Sequence, residues 1–187
     1  MKKWSVFLLL AINIGCATTQ QTSNQIVLDY DTYKNNLNTK KIDSFILSGK
    51  ISLFIKDKGL SGTVRWQSQK GEDNIEIYGP FNNTLAKISL NESLREITFI
   101  PASDSEAMGA QNIIKEIFDN TETIFILKSF LISPPSHDLQ NHDVLVNYHG
   151  WLIKYSGVLE INPKMAKTIE YIKGNISLKI FISSLTS

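Results

Sequence analysis

The sequence predicts an α+β domain, because the spacing of its apolar residues changes from a strand pattern to a helix pattern and back. Apolar and polar residues alternate over residues 45–100, apolar residues recur every three or four positions over 103–132, and alternation returns over 144–182. Short turns between successive strands favour antiparallel pairing. We therefore expect an extended antiparallel sheet with helices inserted between its strands.

The strand pattern falls into two groups. The first predicts a meander of five strands, at residues 45–55, 60–67, 75–77, 85–90 and 94–100. In the first of these strands only Ile46 and Phe54 interrupt the polar side. The second group predicts two hairpins, at residues 144–155 and 168–182, which turn at His149-Gly150 and at Lys173-Gly174-Asn175.

Three segments have helical spacing. Ile26, Tyr30, Tyr33 and Leu37 predict a helix over residues 26–37, and a second helix over 103–120 begins at a capping box formed by Ser103 and Glu106. The third, over residues 123–132, is apolar on almost every side. Such a helix must be covered by protein. We therefore place it against the concave face of the sheet.

The first 25 residues indicate export and lipidation. Lys2 and Lys3 precede an apolar run of eleven residues, 4–14, which is shorter than the roughly twenty needed to span a bilayer. Residues 1–15 are therefore predicted to be a signal peptide that ends before Cys16, the single cysteine. Residues 16–25 are expected to be a lipidated, flexible tether, and residues 26–187 a single domain.

The composition excludes several classes of function. The 19 basic and 18 acidic residues create no field that attracts nucleic acid. One cysteine excludes a disulfide within the chain and a metal site built on paired thiolates. We expect no metal, no cofactor and no nucleic-acid partner.

No catalytic motif is evident. His137, His142 and His149 have no metal-ligand spacing, and His137 and His142 are expected in a solvated loop. The carboxylate pairs are also interpreted as solvated; these are Asp29 with Asp31 and Glu72 with Asp73. We predict that the protein is not an enzyme.

A turn with an apolar tip separates the third and fourth strands. Pro80 suits the second position of a tight turn, and Asn82 or Asn83 can adopt a left-handed conformation, so Phe81 falls near the apex. A loop phenylalanine often folds back onto the core. The other interpretation is that Phe81 projects from the domain for a functional reason.

The apolar strand faces also allow two interpretations. They form a filled core, or a curved sheet leaves part of them as a cavity for lipid chains. The candidate lining residues of such a cavity are Phe45, Leu47, Ile51, Leu53, Val64, Trp66, Ile113, Ile117 and Trp151.

The order of motifs resembles the LolB family of bacterial outer-membrane lipoprotein receptors. Gly15-Cys16 resembles a lipobox, with Asn13 where leucine is usual. It is followed by F-x-L-x-G-K-I-S-L at 45–53, G-x-V-R-W at 62–66, G-P-F-N-N-T at 79–84, the isoleucine-rich helix, W-x-I-x-Y at 151–155 and I-S-L-K-I at 176–180. The resemblance covers nearly the whole chain after the leader.

The resemblance implies an incompletely closed antiparallel barrel of about 11 strands, with helices covering a hydrophobic cavity. It further implies a monomer anchored by lipid on Cys16 at the periplasmic face of the outer membrane. Such a protein accepts acylated lipoproteins from the periplasmic carrier LolA and inserts them into the inner leaflet. Gly79, Pro80, Phe81 and Asn82 match a membrane-insertion loop of pattern N-P-L-G, with Phe81 at the position of the protruding leucine.

Two other functions are compatible with the residues. The first is a tethered lipoprotein that binds another lipid or hydrophobic ligand without transferring it. The second is a structural envelope lipoprotein with a filled core.

Overall fold

A computed structural model describes residues 24–35, 42–102, 108–133, 135, 139, 141–160 and 165–187. Within these residues the chain forms one ten-stranded sheet and three helices. The strands are β1 Asn24–Leu28, β2 Phe45–Ile55, β3 Lys58–Gln69, β4 Glu72–Tyr78, β5 Thr84–Asn91, β6 Glu96–Pro101, β7 His142–Tyr148, β8 Trp151–Leu159, β9 Met165–Lys173 and β10 Ile176–Thr186. The helices are α1 Tyr30–Asn35, α2 Met108–Phe118 and α3 Thr121–Ile132.

The strand order across the sheet is β1-β7-β8-β9-β10-β2-β3-β4-β5-β6. Two meanders, β2 to β6 and β7 to β10, join where β10 pairs with β2 in antiparallel register. β1 and β6 are the edges, so the sheet is open, as the incompletely closed barrel predicts. The sheet has ten strands within the described residues, where about 11 were expected.

The predicted alternation is confirmed in β2. Its inward-facing positions, from Phe45 through Leu47, Ile51 and Leu53 to Ile55, are all buried. Ile46 and Phe54 on the other side are 38% and 47% exposed. The period of two therefore separates a buried concave face from a solvated convex face.

The predicted helix at residues 26–37 is wrong in its first half. Residues 24–28 form β1, which pairs in parallel with β7, from Asn24 opposite His142 to Leu28 opposite Val146. Helix α1 covers only Tyr30–Asn35, and Asp29 begins it by accepting the Thr32 N–H at 2.8 Å. Pairing with a distant strand overrides the local helical spacing. Leu37 lies outside the described residues.

Helices α2 and α3 confirm the two predicted in the middle of the chain. α2 buries Ile113, Ile114, Ile117 and Phe118, and the predicted cap at Ser103 and Glu106 lies outside the described residues. Asn120 caps the N-terminus of α3, and its side chain accepts the Glu122 N–H at 2.8 Å. None of the described helices is long and apolar enough to span a bilayer.

Candidate functional site

The Phe81 turn joins β4 to β5 through a compact hairpin loop. The Gly79 carbonyl accepts the Asn82 N–H at 3.0 Å, and the Gly79 N–H donates to the Asn83 carbonyl at 2.9 Å. Asn82 has a φ of 61°, so it takes the left-handed position that follows a type I turn in three-residue hairpin loops. Phe81 precedes it at the tip and is 93% exposed.

The base of this turn is fixed against β3. A Cβ atom at Gly62 would lie 2.1 Å from the Tyr78 carbonyl oxygen, a distance at which the two strands would have to separate. Only glycine allows this close approach. The position of the Phe81 turn therefore depends on a glycine in the neighbouring strand.

The nine predicted cavity-lining residues lie in one hydrophobic core. Their exposed fractions run from 0% for Leu47 and Leu53 to 8% for Ile113, and all nine belong to the same cluster of buried side chains. A side chain without accessible area touches no space large enough for water. At Leu47, Leu53, Ile51 and Trp66 the interior is therefore filled in this conformation, and an acyl cavity at these residues stays a prediction.

Helix α3 lies over the concave face and is fixed there by an ion pair. Lys128 Nζ lies 2.9 Å from Asp73 Oδ2 on β4 and also contacts the Glu92 carboxylate, while the other Asp73 oxygen accepts Trp66 Nε1–H at 2.9 Å. Asp73 is 1% exposed, so the interpretation of this residue as solvated is wrong. It is part of β4 and points inward beside Ile75 on the same face.

Three tyrosine hydroxyls hold the C-terminal part of α3. Tyr171 on β9 donates to the Leu127 carbonyl at 2.8 Å, and Tyr155 on β8 donates to the Phe130 carbonyl at 3.0 Å. Tyr33 on α1 donates to the Ser133 carbonyl and lies 3.1 Å from the Tyr155 hydroxyl. α3 has no basic residue in its last turn, so these hydroxyls supply donors to its C-terminal carbonyls.

Burial extends the pH range over which these tyrosines stay neutral. Desolvation raises the pKa of Tyr155 and Tyr171 well above the usual value, and the pKa of Tyr33 is raised mainly by the same cause. All three therefore stay neutral, as hydroxyl donors, to a higher pH than an exposed tyrosine does.

The largest pocket described, of about 550 Å³, lies between the two edges of the sheet. Tyr30, which follows β1, and Tyr148 at the end of β7 line one side, and Arg95, which precedes β6, lines the other. Phe125 and Ser129 of α3 contribute to the lining. An aromatic groove with a polar rim suits an amphiphilic ligand.

A second pocket, of about 520 Å³, lies between the β2–β3 hairpin and α2. Its apolar lining includes Ile55, Leu60 and Ile113, and its rim includes Lys56 and Lys58. Ile113 is the predicted cavity residue that this pocket reaches. The pocket therefore lies next to the filled interior, on the side of the first hairpin.

The remaining candidates lie away from these two pockets or outside the described residues. Cys16 and His137 lie outside the described residues, and His149 is exposed in the β7–β8 turn. The prediction that His142 lies in a solvated loop is wrong, because this residue begins β7. Its Nδ1 atom is buried and has no hydrogen-bond partner among the described residues. No group of three potential metal ligands occurs within the described part of the chain.

Sequence reasoning missed the residues that hold α3. After Thr123, the only polar residues of α3 are Lys128 and Ser129, and a lysine in such an apolar stretch is a usable signal for a buried ion pair. Tyr155 and Tyr171 occupy inward positions of their strands. A tyrosine at such a position needs a partner for its hydroxyl, but the sequence does not identify that partner.

Two comparisons with known proteins relate the chain to one family. Residues 43–121 match the family model described as "Outer membrane lipoprotein LolB". The chain is also 22% identical over 149 residues to the outer-membrane lipoprotein LolB of Azoarcus sp. (strain BH72), covering 74% of this chain and 76% of that protein. The resemblance drawn from the order of motifs is confirmed by both.

Proposed function

We propose, from the premise that this chain is a LolB-family protein, that it accepts acylated lipoproteins from a LolA-like periplasmic carrier and inserts them into the inner leaflet of the outer membrane. The family supports the coarser role of an outer-membrane receptor in lipoprotein sorting. The observation that carries the finer proposal is the exposure of Phe81 on its compact turn. Its side chain is 93% exposed, whereas the next most exposed aromatic residue that the structure describes, Phe54, is 47% exposed.

Exposure of acyl chains to water is the main energetic barrier to such a transfer. Each exposed methylene costs about 0.8 kcal/mol, so cargo must pass between apolar sites with little contact with water. The concave face of the sheet offers an apolar site, but α3 fills the space over it. The proposal therefore requires α3 to move when acyl chains enter.

The contacts of α3 are suited to such a movement. Its ion pair and its three tyrosine hydrogen bonds join polar atoms that water can satisfy in an opened state. Its apolar side chains would exchange contacts with the sheet for contacts with acyl chains. The free energy needed to move α3 away from the sheet in the presence of acyl chains is therefore smaller than the free energy of the packing contacts that α3 loses.

Delivery is assigned to Phe81 and anchoring to Cys16. Burial of one phenylalanine contributes roughly 1.5–3 kcal/mol, which is enough to orient a domain at a bilayer and too little to anchor it. A lipid on Cys16 would supply the anchor, and the tether after it keeps the domain near the membrane. This mechanism uses no catalytic group, metal or cofactor.

The test is acceptance of cargo from a carrier. A Cys16→Ser variant keeps residues 24–187, which hold every described strand and the whole described core. Mixed with a LolA-like carrier loaded with a labelled acylated lipoprotein, this variant should form a complex with the lipoprotein that can be isolated. Retention of all cargo on the carrier would refute the proposal.

A second candidate function is binding of a lipid or hydrophobic ligand without transfer. The aromatic groove between the sheet edges favours it, because that groove is open without any movement of α3. A protein of this kind would take up a free fatty acid or detergent and leave carrier-bound lipoprotein untouched. The same experiment, repeated with a fluorescent fatty acid, separates the two functions.

A further inference from the structure

A third pocket, of about 320 Å³, lies on the convex face of the first meander. Strand register arranges its polar side chains in two adjacent rows across β3, β4 and β5. The charged row is Arg65, Glu76 and Lys87, and the neutral row is Gln67, Asn74 and Ser89. The sheet itself separates this pocket from the concave core and from α3.

The carboxylate and one amide oxygen of the pocket already have partners. Glu76 Oε1 lies 2.8 Å from Lys87 Nζ, and the Tyr78 hydroxyl donates to Glu76 Oε2 at 2.7 Å. The Ser89 hydroxyl donates to Asn74 Oδ1 at 2.8 Å. The hydrogen bond from Lys87 lowers the pKa of the Glu76 carboxyl and raises the pKa of Lys87, so both groups stay charged.

The donors of the pocket are mostly unused. Among the residues that the structure describes, the Arg65 guanidinium and the Gln67 amide have no hydrogen-bond or ion-pair partner, and Asn74 Nδ2 donates to no group. A guanidinium offers five N–H donors in one plane, which match the oxygens of a phosphate. With two positive charges against one negative, the pocket suits a ligand that is anionic and rich in acceptors.

The remaining charges on this face determine which end of the pocket suits the anion. Register places two further charged side chains on the convex face of β3 to β6, the exposed carboxylates Glu72 and Glu96, which lie beyond the neutral row. Four residues along a strand separate each of them from the charged row, about 13 Å. This distance exceeds a Debye length of roughly 8–10 Å. An anion is therefore favoured at the charged row and disfavoured past the neutral row.

We propose that this pocket binds a phosphorylated monosaccharide, with its phosphate against Arg65 and Lys87 and its ring hydroxyls against Gln67 and Asn74. The two rows are about 7 Å apart along the strands, which suits a phosphate at one end of a sugar ring and hydroxyls at the other. Ile100, 52% exposed, supplies an apolar contact for the C–H groups of the ring. The volume lies at the lower end of the range for small-molecule sites, so one ring fits.

The experiment is a calorimetric titration of the full chain, produced with its own leader and purified in detergent. N-acetylglucosamine 1-phosphate is the probe, and N-acetylglucosamine and inorganic phosphate represent its two halves. We expect saturable binding of the probe, at least tenfold tighter than binding of either half. An absence of saturable binding, or equal affinity for inorganic phosphate, would overturn the inference.

Substitutions locate the binding in this pocket. Arg65→Gln should weaken it about tenfold or more, because a charge-assisted contact is lost, and Gln67→Ala about threefold to tenfold. Lys154→Gln is the matched control, since it removes the same charge from the convex face at a residue that lies outside the pocket and pairs with Asp143 at 2.9 Å. The control should bind the probe normally. Equal losses in Arg65→Gln and Lys154→Gln would mean unspecific attraction and would refute the site.

The natural source of such a ligand is a free sugar phosphate or the headgroup of a phosphorylated glycolipid. Lipid A, added in the same detergent, competes with the probe in a second titration. Displacement at a lower concentration than free sugar phosphate requires assigns the site to the glycolipid, and weaker displacement assigns it to the free sugar; both results support the pocket. No carrier or cargo is present, so a failure of lipoprotein transfer leaves this result intact.

Discussion

Lys128 in the middle of α3 pairs at 2.9 Å with Asp73, whose side chain is fully shielded from solvent on the concave face of β4. Trp66 donates to the other carboxylate oxygen, so both oxygens of this buried group have a donor. A buried pair gives little net stability, but removal of one member leaves an uncompensated charge. The helix and the sheet are coupled through these two residues.

Lys128→Met should therefore lower the free energy of unfolding by about 3–5 kcal/mol, because Asp73 loses its counter-charge. Urea denaturation measures this loss. Adding Asp73→Asn removes the unpaired charge and should recover part of the lost free energy of unfolding. The control is Lys179→Met, which breaks an exposed 3.7 Å pair with Glu170 and should cost less than about 1 kcal/mol. Equal losses in the two single variants would contradict the coupling.

The tyrosines under α3 predict a loss of stability at alkaline pH. Burial raises the pKa of Tyr155 and Tyr171 well above the unfolded value of about 10. Below a pH of about 10 the two hydroxyls are protonated in both the folded and the unfolded chain, so their contribution to the free energy of unfolding is fully present. Above it the unfolded chain loses protons that the folded chain retains, so stability falls as pH rises. Urea midpoints across this range should show a shallower fall for Tyr155→Phe/Tyr171→Phe, and an unchanged slope would argue against buried, neutral hydroxyls.

Phe81→Glu should separate delivery from acceptance. Since the side chain is 93% exposed, the free energy of unfolding should change by less than about 0.5 kcal/mol. Cargo should still leave the carrier, while its appearance in vesicles falls strongly because a charged tip cannot enter the headgroup region. Leu94→Glu, a 65% exposed leucine in the β5–β6 turn, is the control. Normal delivery by the Phe81 variant would remove this residue from the mechanism.

Two glycine-to-alanine substitutions should change the free energy of unfolding in opposite directions. Gly62→Ala places a Cβ atom 2.1 Å from the Tyr78 carbonyl oxygen and should cost about 1–3 kcal/mol by separating β3 from β4. Gly109→Ala meets nothing within 4 Å in α2 and should stabilise the protein by roughly 0.5 kcal/mol, because alanine favours the helix. Thermal unfolding compares them directly, and a destabilised Gly109 variant would contradict this account.

Local periodicity predicted most of the sheet because a half-buried strand repeats every two residues. β2 follows that rule over its full length, and β3, β4, β5, β6 and both later hairpins appear close to the predicted residues. Local periodicity does not predict β1, because its partner β7 lies more than a hundred residues away in the sequence. Nothing within residues 24–28 indicates that a parallel partner is available.

The residues around α3 show a different limit of sequence reasoning. Asp73 is next to Glu72 in a polar stretch, and only the strand register shows that one faces inward and the other outward. The nine predicted lining residues are inward, as their spacing indicates. Whether the space beside them is filled depends on where α3 lies, and periodicity carries no information about that position.

The parallel pairing of β1 also determines how force would pass through the domain. A force applied at Asn24 along the strand loads all the backbone hydrogen bonds to β7 at the same time, in shear. In a hairpin pulled open from its ends, by contrast, the hydrogen bonds break one after another. If the domain is held from the residues before Asn24, pulling β1 away from β7 requires all five residue pairs to break together. A load applied at Asn24 therefore reaches the sheet through all five pairs of β1 with β7 at once.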